Sequence, residues 1–529
     1  MSIIGRSYRR VRSLALGITL LVRSDIAAAE EIHPVSEQIE AALSGKAEPI
    51  LGMPLNLATT KRFYLARHYE PAWRNSEDAQ VARAALADAA SEGLEPSDYN
   101  LDRIADLSTR PDASATYDVL LTASLLQYEH DLRSGRLAPE TTYRDASFPK
   151  EPFDPAAGTE AAFERHGLAD YLLQIVPPQN EYRNLKLALA VYRAIERRGG
   201  WPRLAPMLQT NFPMPDERAD QLRARLALED TSIGASKSGA DSASLIDALK
   251  RYQIRNGLQV DGRLSKATLD SLNVPVDQRI STIIANMERW RWVPRARPPA
   301  YVEVNTADAS LKAVKGSNTS LFSRIVAGKP ATPTPLFSAA ISAITVNPYW
   351  IVPRPIARHE ILPKLAKDAS YLVSHHMFVN DNGFIEQAPG PDNPLGQIKL
   401  EMPNRFDAYL HGTPQPELFA RARRYFSHGC MRVEKIGQLA SFVLTGDVDS
   451  GAAQIGAEIA SGRNTKIPLD RPLPVLVLYW TATADENGIT GFRADIYGRD
   501  KTLLSALANR GGGEQAASNA YTDCGPLAG

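Results

Sequence analysis

The first part of the chain carries apolar residues at helical spacing. They recur three or four positions apart from Leu121 to Leu132 and again from Leu185 to Ile195, which places them along one face of an α-helix. Gly199-Gly200 ends the second pattern, as glycine commonly does after a helix. Stripes of this kind are typical of core packing and carry no chemistry. They predict a helical domain over residues 30–235.

A polar segment separates this domain from a smaller helical unit. The stretch from Asp230 to Ser244 is rich in Gly, Ser and Ala, a composition typical of a linker. Beyond it, apolar residues from Leu245 to Tyr252 share one helix face. Gly257 is placed to end that helix, and Ser265 is placed to cap the next one. The pattern predicts a compact helical module over residues 243–275.

The pattern changes again beyond Pro294. Short runs of β-branched and aromatic residues, bounded by Gly, Pro or Asn, predict a β-rich domain over residues 299–498. These runs are Tyr301–Val304, Ser323–Val326, Ile341–Val346 and Leu473–Tyr479. The chain is therefore expected to be a multidomain α+β protein. A Gly- and Ala-rich tail over residues 509–529 is expected to be disordered.

The N-terminus has the pattern of an export signal. Four arginines precede a short apolar run from Ser13 to Val22, and Ala27-Ala28-Ala29 fits a cleavage site. The run is shorter than the roughly 20 apolar residues that a membrane span needs. We therefore predict a signal peptide over residues 1–29, with an uncleaved membrane anchor as the alternative.

Charge and cysteine content narrow the function classes. Lys plus Arg and Asp plus Glu are equal at 60 each, so no net basic field favours nucleic acid as a partner. The two cysteines, Cys430 and Cys524, are too few for a disulfide scaffold in a chain of 529 residues. A single disulfide between them is one possibility. A reactive thiol is the other, because Cys430 lies beside His and Gly.

The segment from Tyr409 to Val433 contains the residues that carry chemistry. A cysteine attacks a carbonyl as the thiolate, and a neighbouring imidazole favours that form by taking the proton. His428 is two residues from Cys430, so both would face the same side of an extended strand. His411 is farther away, and an adjacent strand would have to bring it alongside. Both histidines are candidate bases.

Gly429 adds a second element of such a site. Glycine before a nucleophile permits unusual dihedral angles, and backbone N–H groups there suit an oxyanion hole. Spacing alone also allows a buried thiol beside a structural histidine. A zinc site would need three or four ligands at close spacing, and neither a second cysteine nor a cluster of acids lies nearby. We therefore predict no metal and no cofactor.

The segment resembles the catalytic domain of the L,D-transpeptidases, of the YkuD type. Their motif is a histidine, about fifteen residues, and then [Ser/Thr]-His-Gly-Cys. Here His411 is followed, after fifteen residues, by Ser427-His428-Gly429-Cys430. Other segments resemble the large Gram-negative subfamily. They include Gly328-Lys329-Pro330, Asn347-Pro348-Tyr349-Trp350 and Asn393-Pro394-Leu395-Gly396.

The resemblance extends to the other predicted domains. The helical region with Tyr69-Glu70-Pro71-Ala72-Trp73 is similar to the scaffold domain of that subfamily. Gly257 to Val274 resembles a peptidoglycan-binding domain, although Leu264-Ser265 stands where Phe-Gly is usual. The alternative is a helical hairpin that only packs. The stretch from Ile351 to Asn382 corresponds to a lid inserted over the active site. Glu386 stands where relatives often carry Arg.

The resemblance implies a role for each motif residue. Cys430 would be the nucleophile and His411 the base, with the backbone carbonyl of Gly412 orienting the imidazole. The N–H groups of Gly429 and Cys430 would form the oxyanion hole. The site would further be shaped by Ser427, His428 and Arg432.

The resemblance also implies a reaction and its partners. Cys430 would form a thioester with a peptidoglycan tetrapeptide stem and release D-alanine. The diamino-acid side-chain amine of a second stem would then accept the acyl group. The protein would be periplasmic, would use peptidoglycan stems as donor and acceptor, and would be inhibited covalently by carbapenem β-lactams. One alternative is an L,D-carboxypeptidase or endopeptidase that uses water as acceptor. The other is a non-catalytic wall-binding scaffold, against which the intact His411 and Cys430 argue.

Overall fold

The computed structural model describes residues 34–44, 57–205, 216–230, 232–233 and 242–509. The predicted signal peptide over residues 1–29, most of the predicted linker, Cys524 and nearly all of the predicted tail lie outside these residues. The chain divides into two compact units. One comprises Met1–Arg136 and Pro152–Pro178, and the other Leu137–Glu151 and Gln179–Gly529.

The first unit is built from helices. Its longest helix, Ser114–Ser134, is buried along most of its length, and the predicted stripe of Leu121, Leu125, Tyr128 and Leu132 lies in the core. This confirms the helical prediction for that stretch. The other α-helices are Leu57–Ala66, Ser76–Ala87, Leu101–Leu107, Pro155–Glu164 and Leu168–Gln174, with a further helix over residues 34–43. Among the helices described, none combines the length and apolarity needed to cross a membrane.

A carboxyl group lies in the interior of this unit. Glu129 is fully buried, and its oxygens lie 2.8 and 2.9 Å from the hydroxyl of Thr159. That hydroxyl is also 2.8 Å from the carbonyl of Pro155, to which it donates. Burial raises the pKa of Glu129 to about 8. The Tyr171 hydroxyl also donates to this carboxyl group, at 3.2 Å, and its bond and that of Thr159 oppose the rise in pKa without cancelling it.

The second unit begins with further helices. Its α-helices before the sheet are Pro139–Thr142, Asn180–Arg197, Asp216–Ala227, Ser242–Arg255, Lys266–Leu272 and Val276–Trp292. The predicted stripe from Leu185 to Ile195 forms the buried face of Asn180–Arg197, as expected. Gly199 and Gly200 follow that helix with φ of 93° and 71°, which glycine adopts at little cost.

The predicted helical module forms its own apolar core. Leu245, Leu249 and Tyr252 pack there, together with Leu222 and Leu226 from the helix Asp216–Ala227. The sequence had assigned that last helix to the preceding domain. The predicted caps are confirmed, since Gly257 has a φ of 61° and the Ser265 hydroxyl accepts from the Thr268 N–H.

This module is attached closely to a hairpin farther along the chain. The Asn256 side chain accepts from the Phe492 N–H at 3.1 Å, and the Arg493 guanidinium donates to the Arg255 carbonyl at 2.5 Å. A Cβ on Gly491 would collide with that same carbonyl oxygen. The close backbone approach therefore requires glycine at position 491.

The rest of the second unit is a β-domain. Its strands are β1 (Ala146–Ser147), β2 (Ala300–Asn305), β3 (Ser310–Lys315), β4 (Asn318–Gly328), β5 (Leu336–Val346), β6 (Trp350–Ile351), β7 (Met377–Val379), β8 (Ile385–Gln387), β9 (Ile398–Glu401), β10 (Leu410–His411), β11 (Tyr425–Ser427), β12 (Met431–Val433), β13 (Thr465–Leu478), β14 (Ala482–Ala484) and β15 (Thr490–Phe492). All four runs predicted from the sequence lie largely within strands of this set. The multidomain α+β prediction with a β-rich domain is confirmed.

The main sheet closes on itself. Its order is β5, β13, β2, β3, β4, β12, β10 and β9, and β9 pairs again with β5. The alternating apolar side chains of these strands fill one core, which the helices Ile436–Thr445 and Ala452–Ala460 cover in part. A closed sheet fixes each strand between two neighbours. The short strand β10 is therefore held on both sides.

The segment predicted as a lid is a small separate layer. Strands β6, β8 and β7 form a three-stranded sheet, and Val352, Ile361, Met377 and Ile385 make its own apolar cluster. Its helical turns are Arg354–Ile356, Ala357–Ile361, Leu362–Leu365 and Tyr371–Ser374, the second being a π-helix.

Candidate active site

The predicted nucleophile lies at a tight bend between two strands. Strand β11 ends at Ser427 and β12 begins at Met431, with residues 428–430 forming the bend. Gly429 has a φ of 121° there, a conformation that favours glycine. The expectation that His428 and Cys430 share one face of an extended strand is therefore wrong. Residues 428–430 are not extended strand, and the Cys430 side chain is buried.

The Ser427 side chain fastens this bend. Its hydroxyl accepts from the Gly429 N–H at 3.2 Å and donates to the Cys430 carbonyl at 2.5 Å. The Ser427 carbonyl in turn accepts from the Lys329 N–H at 2.9 Å. Ser427 is itself buried, so these bonds are shielded from water. The Gly429 N–H thus already has an acceptor in this structure.

Strand β10 brings His411 beside the bend. It runs parallel to β12, with Leu410 opposite Met431 and His411 opposite Arg432. The Met431 N–H donates to the Tyr409 carbonyl at 3.0 Å, which ties the residue after Cys430 to this strand. Leu410 and Met431 point into the core, so His411 and Arg432 face the opposite side. The adjacent strand that the sequence required for His411 is present.

The surroundings of His411 keep its imidazole neutral. Burial lowers its pKa to about 3, and the positive charges of Arg432 and Lys399 act in the same direction. Weak hydrogen bonding to the backbone of Gly412 and Leu395 opposes them. Nδ1 has no well-aligned partner among the described residues, so the Gly412 interaction is loose here. The imidazole is therefore neutral at neutral pH, and its basicity is lowered in this resting arrangement.

Gly412 is held in place from two sides. Its N–H donates to the Ile398 carbonyl at 2.9 Å. On the other side it packs against Gly396, which has a φ of 64° and where a Cβ would come within 3.0 Å of the Gly412 backbone. The Asn393-Pro394-Leu395-Gly396 segment, which the sequence marked only by resemblance, therefore packs against the backbone that follows His411.

Lys399 is a neighbour of this site that the sequence analysis did not single out. It lies opposite His411 on β9, on the other side from Arg432. Its ammonium lies 4.5 Å from the centre of the Tyr409 ring, which in turn lies 5.5 Å from the His411 ring. The alternation of apolar and polar residues around Lys399 predicts that its side chain lies on the face of β9 away from the core. That pattern does not reveal which strand pairs with β9.

His428 is engaged by the predicted lid. Its Nε2 lies 2.8 Å from a carboxylate oxygen of Glu360 and 3.2 Å from the Lys329 ammonium. Glu360 belongs to the π-helix Ala357–Ile361. The two candidate bases thus differ in what they contact. His411 lies on the strand next to Cys430, and His428 connects the bend to the lid segment.

Arg432 and Cys430 are the remaining predicted site residues. The Arg432 guanidinium donates to the Gln415 side chain at 3.2 Å. The Cys430 sulfur lies 3.9 Å from the Asp407 carbonyl oxygen, a weak contact. In the part of the chain that the structure describes, no group of His, Cys, Asp and Glu side chains is arranged to hold a metal ion.

Three segments of the chain match known protein families. Residues 58–189 match a model described as "Scaffold domain", and residues 217–272 match one described as "Putative peptidoglycan binding domain". Residues 299–455 match the "L,D-transpeptidase catalytic domain". The catalytic match contains both His411 and Cys430, and the three matches confirm the resemblance seen in the sequence.

The relatives and solved structures that resemble this chain share low sequence identity with it. A protein from Haemophilus influenzae named "Putative L,D-transpeptidase" is 28% identical over 292 residues. The match covers 50% of this chain and 59% of that protein. Among solved structures, an L,D-transpeptidase from Stackebrandtia nassauensis is 14% identical, with 52% of this chain and 97% of that chain covered and a TM-score of 0.21. The Ldtfm-avibactam carbamoyl enzyme is 12% identical, with 46% and 83% covered and a TM-score of 0.19.

Proposed function

We propose that this chain, which carries the catalytic domain of the L,D-transpeptidases, cross-links peptidoglycan stems through a thioester on Cys430. The observation that carries the proposal is the strand register, which sets His411 directly opposite Arg432 and beside the bend that holds Cys430. A buried imidazole on the strand that neighbours a buried thiol supports nucleophilic catalysis by cysteine.

The first half of the reaction acylates the enzyme. His411 takes the thiol proton, and the sulfur attacks the carbonyl carbon of an L-centred residue in a tetrapeptide stem. A C–S bond forms, the amide C–N bond to the terminal D-alanine breaks, and the imidazolium returns its proton to the departing amine. The energy of the cleaved bond remains in the thioester, so no nucleotide is consumed.

The second half transfers the acyl group. The side-chain amine of a diamino acid in a second stem attacks the thioester, so a C–N bond forms and the C–S bond breaks. His411 receives the proton that the amine loses and returns it to the sulfur. With water in place of the amine, the same residues would hydrolyse the thioester. Exclusion of water by the lid segment favours the amine.

The oxyanion that forms in each half needs N–H donors. We assign this role to the Cys430 N–H and the Gly429 N–H. The second of these donates to Ser427 in the resting structure, so it is available only when Ser427 shares or releases it. Ser427 then shapes the bend, and Arg432 supplies positive charge near the developing negative charge. His428 connects this bend to the lid.

The other domains support a role at the cell wall. The match of residues 217–272 to a peptidoglycan-binding model favours peptidoglycan as the partner. We further propose that residues 1–29 direct export to the periplasm, as their basic and apolar segments indicate. Carbapenems present a strained carbonyl like that of the donor stem, so we propose that they acylate Cys430.

Product analysis tests the function directly. The chain without residues 1–29 is incubated with purified tetrapeptide muropeptides, and the products are identified by mass spectrometry. Cross-linked dimers with release of D-alanine are expected, and Cys430→Ala should yield none. Shortened monomers alone would show water as the acceptor. No product from the parent chain would overturn the enzymatic proposal.

A further inference from the structure

A pocket opens beside the strand that leads to the catalytic bend. It has a volume of about 430 Å³ and is lined by Pro330, Arg421, Arg423, Tyr425 and Phe426. Tyr425 and Phe426 belong to β11 and directly precede Ser427. The pocket is therefore built from the same chain segment as the nucleophile.

The other wall of the pocket also connects to the site. Pro330 follows Lys329, whose N–H donates to the Ser427 carbonyl and whose ammonium lies 3.2 Å from His428. Phe426 lies four positions before Cys430, which is at most about 13 Å of extended chain. A tetrapeptide stem in extended form has about the same length. A stem with its reacting carbonyl at Cys430 can therefore reach the pocket with the residues that precede that carbonyl, so the carboxylate that enters the pocket is one carried along the stem.

The charge of the pocket is not neutralised. Arg421 and Arg423 are exposed, and neither has an ion-pair or hydrogen-bond partner for its guanidinium among the described residues. Nearby arginines behave differently. Arg424 donates to the carbonyls of Asp308 and Ala309, and Arg324 pairs with Glu434.

The aromatic wall positions one of these cations. The Arg421 guanidinium lies 5.3 Å from the centre of the Phe426 ring, a cation–π contact that leaves its N–H groups open to a ligand. Phe426 itself is 38% exposed, although it directly precedes the buried Ser427. A ligand with an anionic group on a short apolar stem fits this combination.

We propose that the pocket binds a free carboxylate of the peptidoglycan stem that reacts at Cys430. The inference rests on the proposed function, since it is the substrate of that site that brings the carboxylate. Guanidinium groups match carboxylates with two parallel hydrogen bonds, and stem peptides carry free carboxylates along and at the end of the chain. Phe426 and Pro330 contact the apolar part of the stem.

Binding to the inactive chain tests the pocket independently of turnover. Calorimetry measures the affinity of Cys430→Ala for a tetrapeptide stem and for the same stem with its free carboxyl groups amidated. Adding Arg421→Gln and Arg423→Gln should weaken binding of the free-acid stem about tenfold, the effect of losing one good charged contact. Binding of the amidated stem should not change.

Two comparisons make the result specific. Arg463→Gln removes an exposed arginine that does not line the pocket and should alter neither affinity. In the otherwise intact enzyme, the Arg421→Gln, Arg423→Gln pair should raise KM for the free-acid stem and leave kcat nearly unchanged. Alkylation of Cys430 by iodoacetamide, which is uncharged, should proceed at the parent rate and so report an intact site.

Several outcomes would overturn the inference. Equal affinity of the paired variant and Arg463→Gln for the free-acid stem would do so, as would an equal loss for both stems. Competition by inorganic phosphate together with indifference to amidation would assign the pocket to another anion. Charge-dependent binding without any turnover by the parent chain would instead retain the pocket and overturn the proposed function.

Discussion

The positive charges around His411 lead to a prediction about the pKa of its imidazole, which can be measured directly. Replacing Arg432 by Gln removes the positive charge opposite the imidazole on β12 while keeping a polar side chain of similar length. Burial makes the largest contribution to the lowered pKa of His411, and Arg432 the next. The substitution should therefore raise the pKa of His411 without restoring it to the ordinary value for an exposed histidine.

The expected size follows from the strand geometry. Neighbouring strands lie about 5 Å apart, and we take the two charged groups, which are at the ends of longer side chains, to be roughly 8 Å apart. With an effective dielectric constant of about 20, two unit charges at that distance interact by about 2 kcal/mol. Solvent screening of the partly exposed guanidinium reduces this, so a rise of about one pKa unit is expected.

Selective ¹³C labelling of histidine followed by NMR titration measures this shift. The background is Cys430→Ala, because a thiol and an imidazole that interact titrate jointly. The variant His411→Gln identifies the resonance. At pH 4.5, a pKa of about 3 leaves about 3% of the imidazole protonated, whereas a pKa of about 4 gives about 24%. Arg463→Gln is the control, because it removes one arginine charge elsewhere on the chain.

Two results would refute the reasoning. If His411 in the parent is half-protonated between pH 6 and 7, burial and the flanking cations do not keep it neutral. If Arg432→Gln and Arg463→Gln give the same titration, the register of β10 and β12 does not set the electrostatics of the imidazole.

Three further predictions concern the nucleophile, the bend and the scaffold interior. A carbapenem should add once per chain by intact mass, with no adduct in Cys430→Ala and slow formation in His411→Ala; an adduct on another residue would contradict the assignment. Gly429→Ala forces a side chain into a φ of 121°, at a cost of roughly 1–3 kcal/mol, so acylation should fall at least tenfold. Gly446→Ala, at a helix end with a φ of 74°, should lower the melting temperature and leave acylation intact. Glu129 has its folded pKa raised to about 8. Its contribution to the free energy of unfolding should therefore be fully present below pH 4.5 and should fall as the pH rises towards 8. Denaturation of Glu129→Gln should lack that fall, which amounts to up to about 3 kcal/mol by pH 7; a parallel decline in both proteins would exclude the buried acid as its cause.

The helices and strands were predictable because periodicity is a local property. Leu121 to Leu132 and Leu185 to Ile195 repeat at the spacing of a helix, and those stretches fold as helices whose stripes are buried. Caps such as Ser265 depend only on the next few residues. Fold class and element positions follow from such patterns without knowledge of distant contacts.

The arrangement of the site was only partly predictable. Sequence spacing left His411 and His428 as two candidate bases, because it does not show which strands are neighbours. The pairing of β10 with β12 and the bend at Gly429 distinguish them. Lys399 and Glu360 come from distant segments, and no local pattern connects either of them to a histidine of the motif.

The attachment of the helical module has a consequence for where reactions occur. Asn256 and Arg255 bond to the hairpin of β14 and β15, and Gly491 lets the two backbones touch. A module tied in this way keeps a fixed separation from Cys430, unlike one on a flexible tether. If the proposed function holds and the module binds a glycan strand, new cross-links should form at a set number of sugar units from the point of attachment.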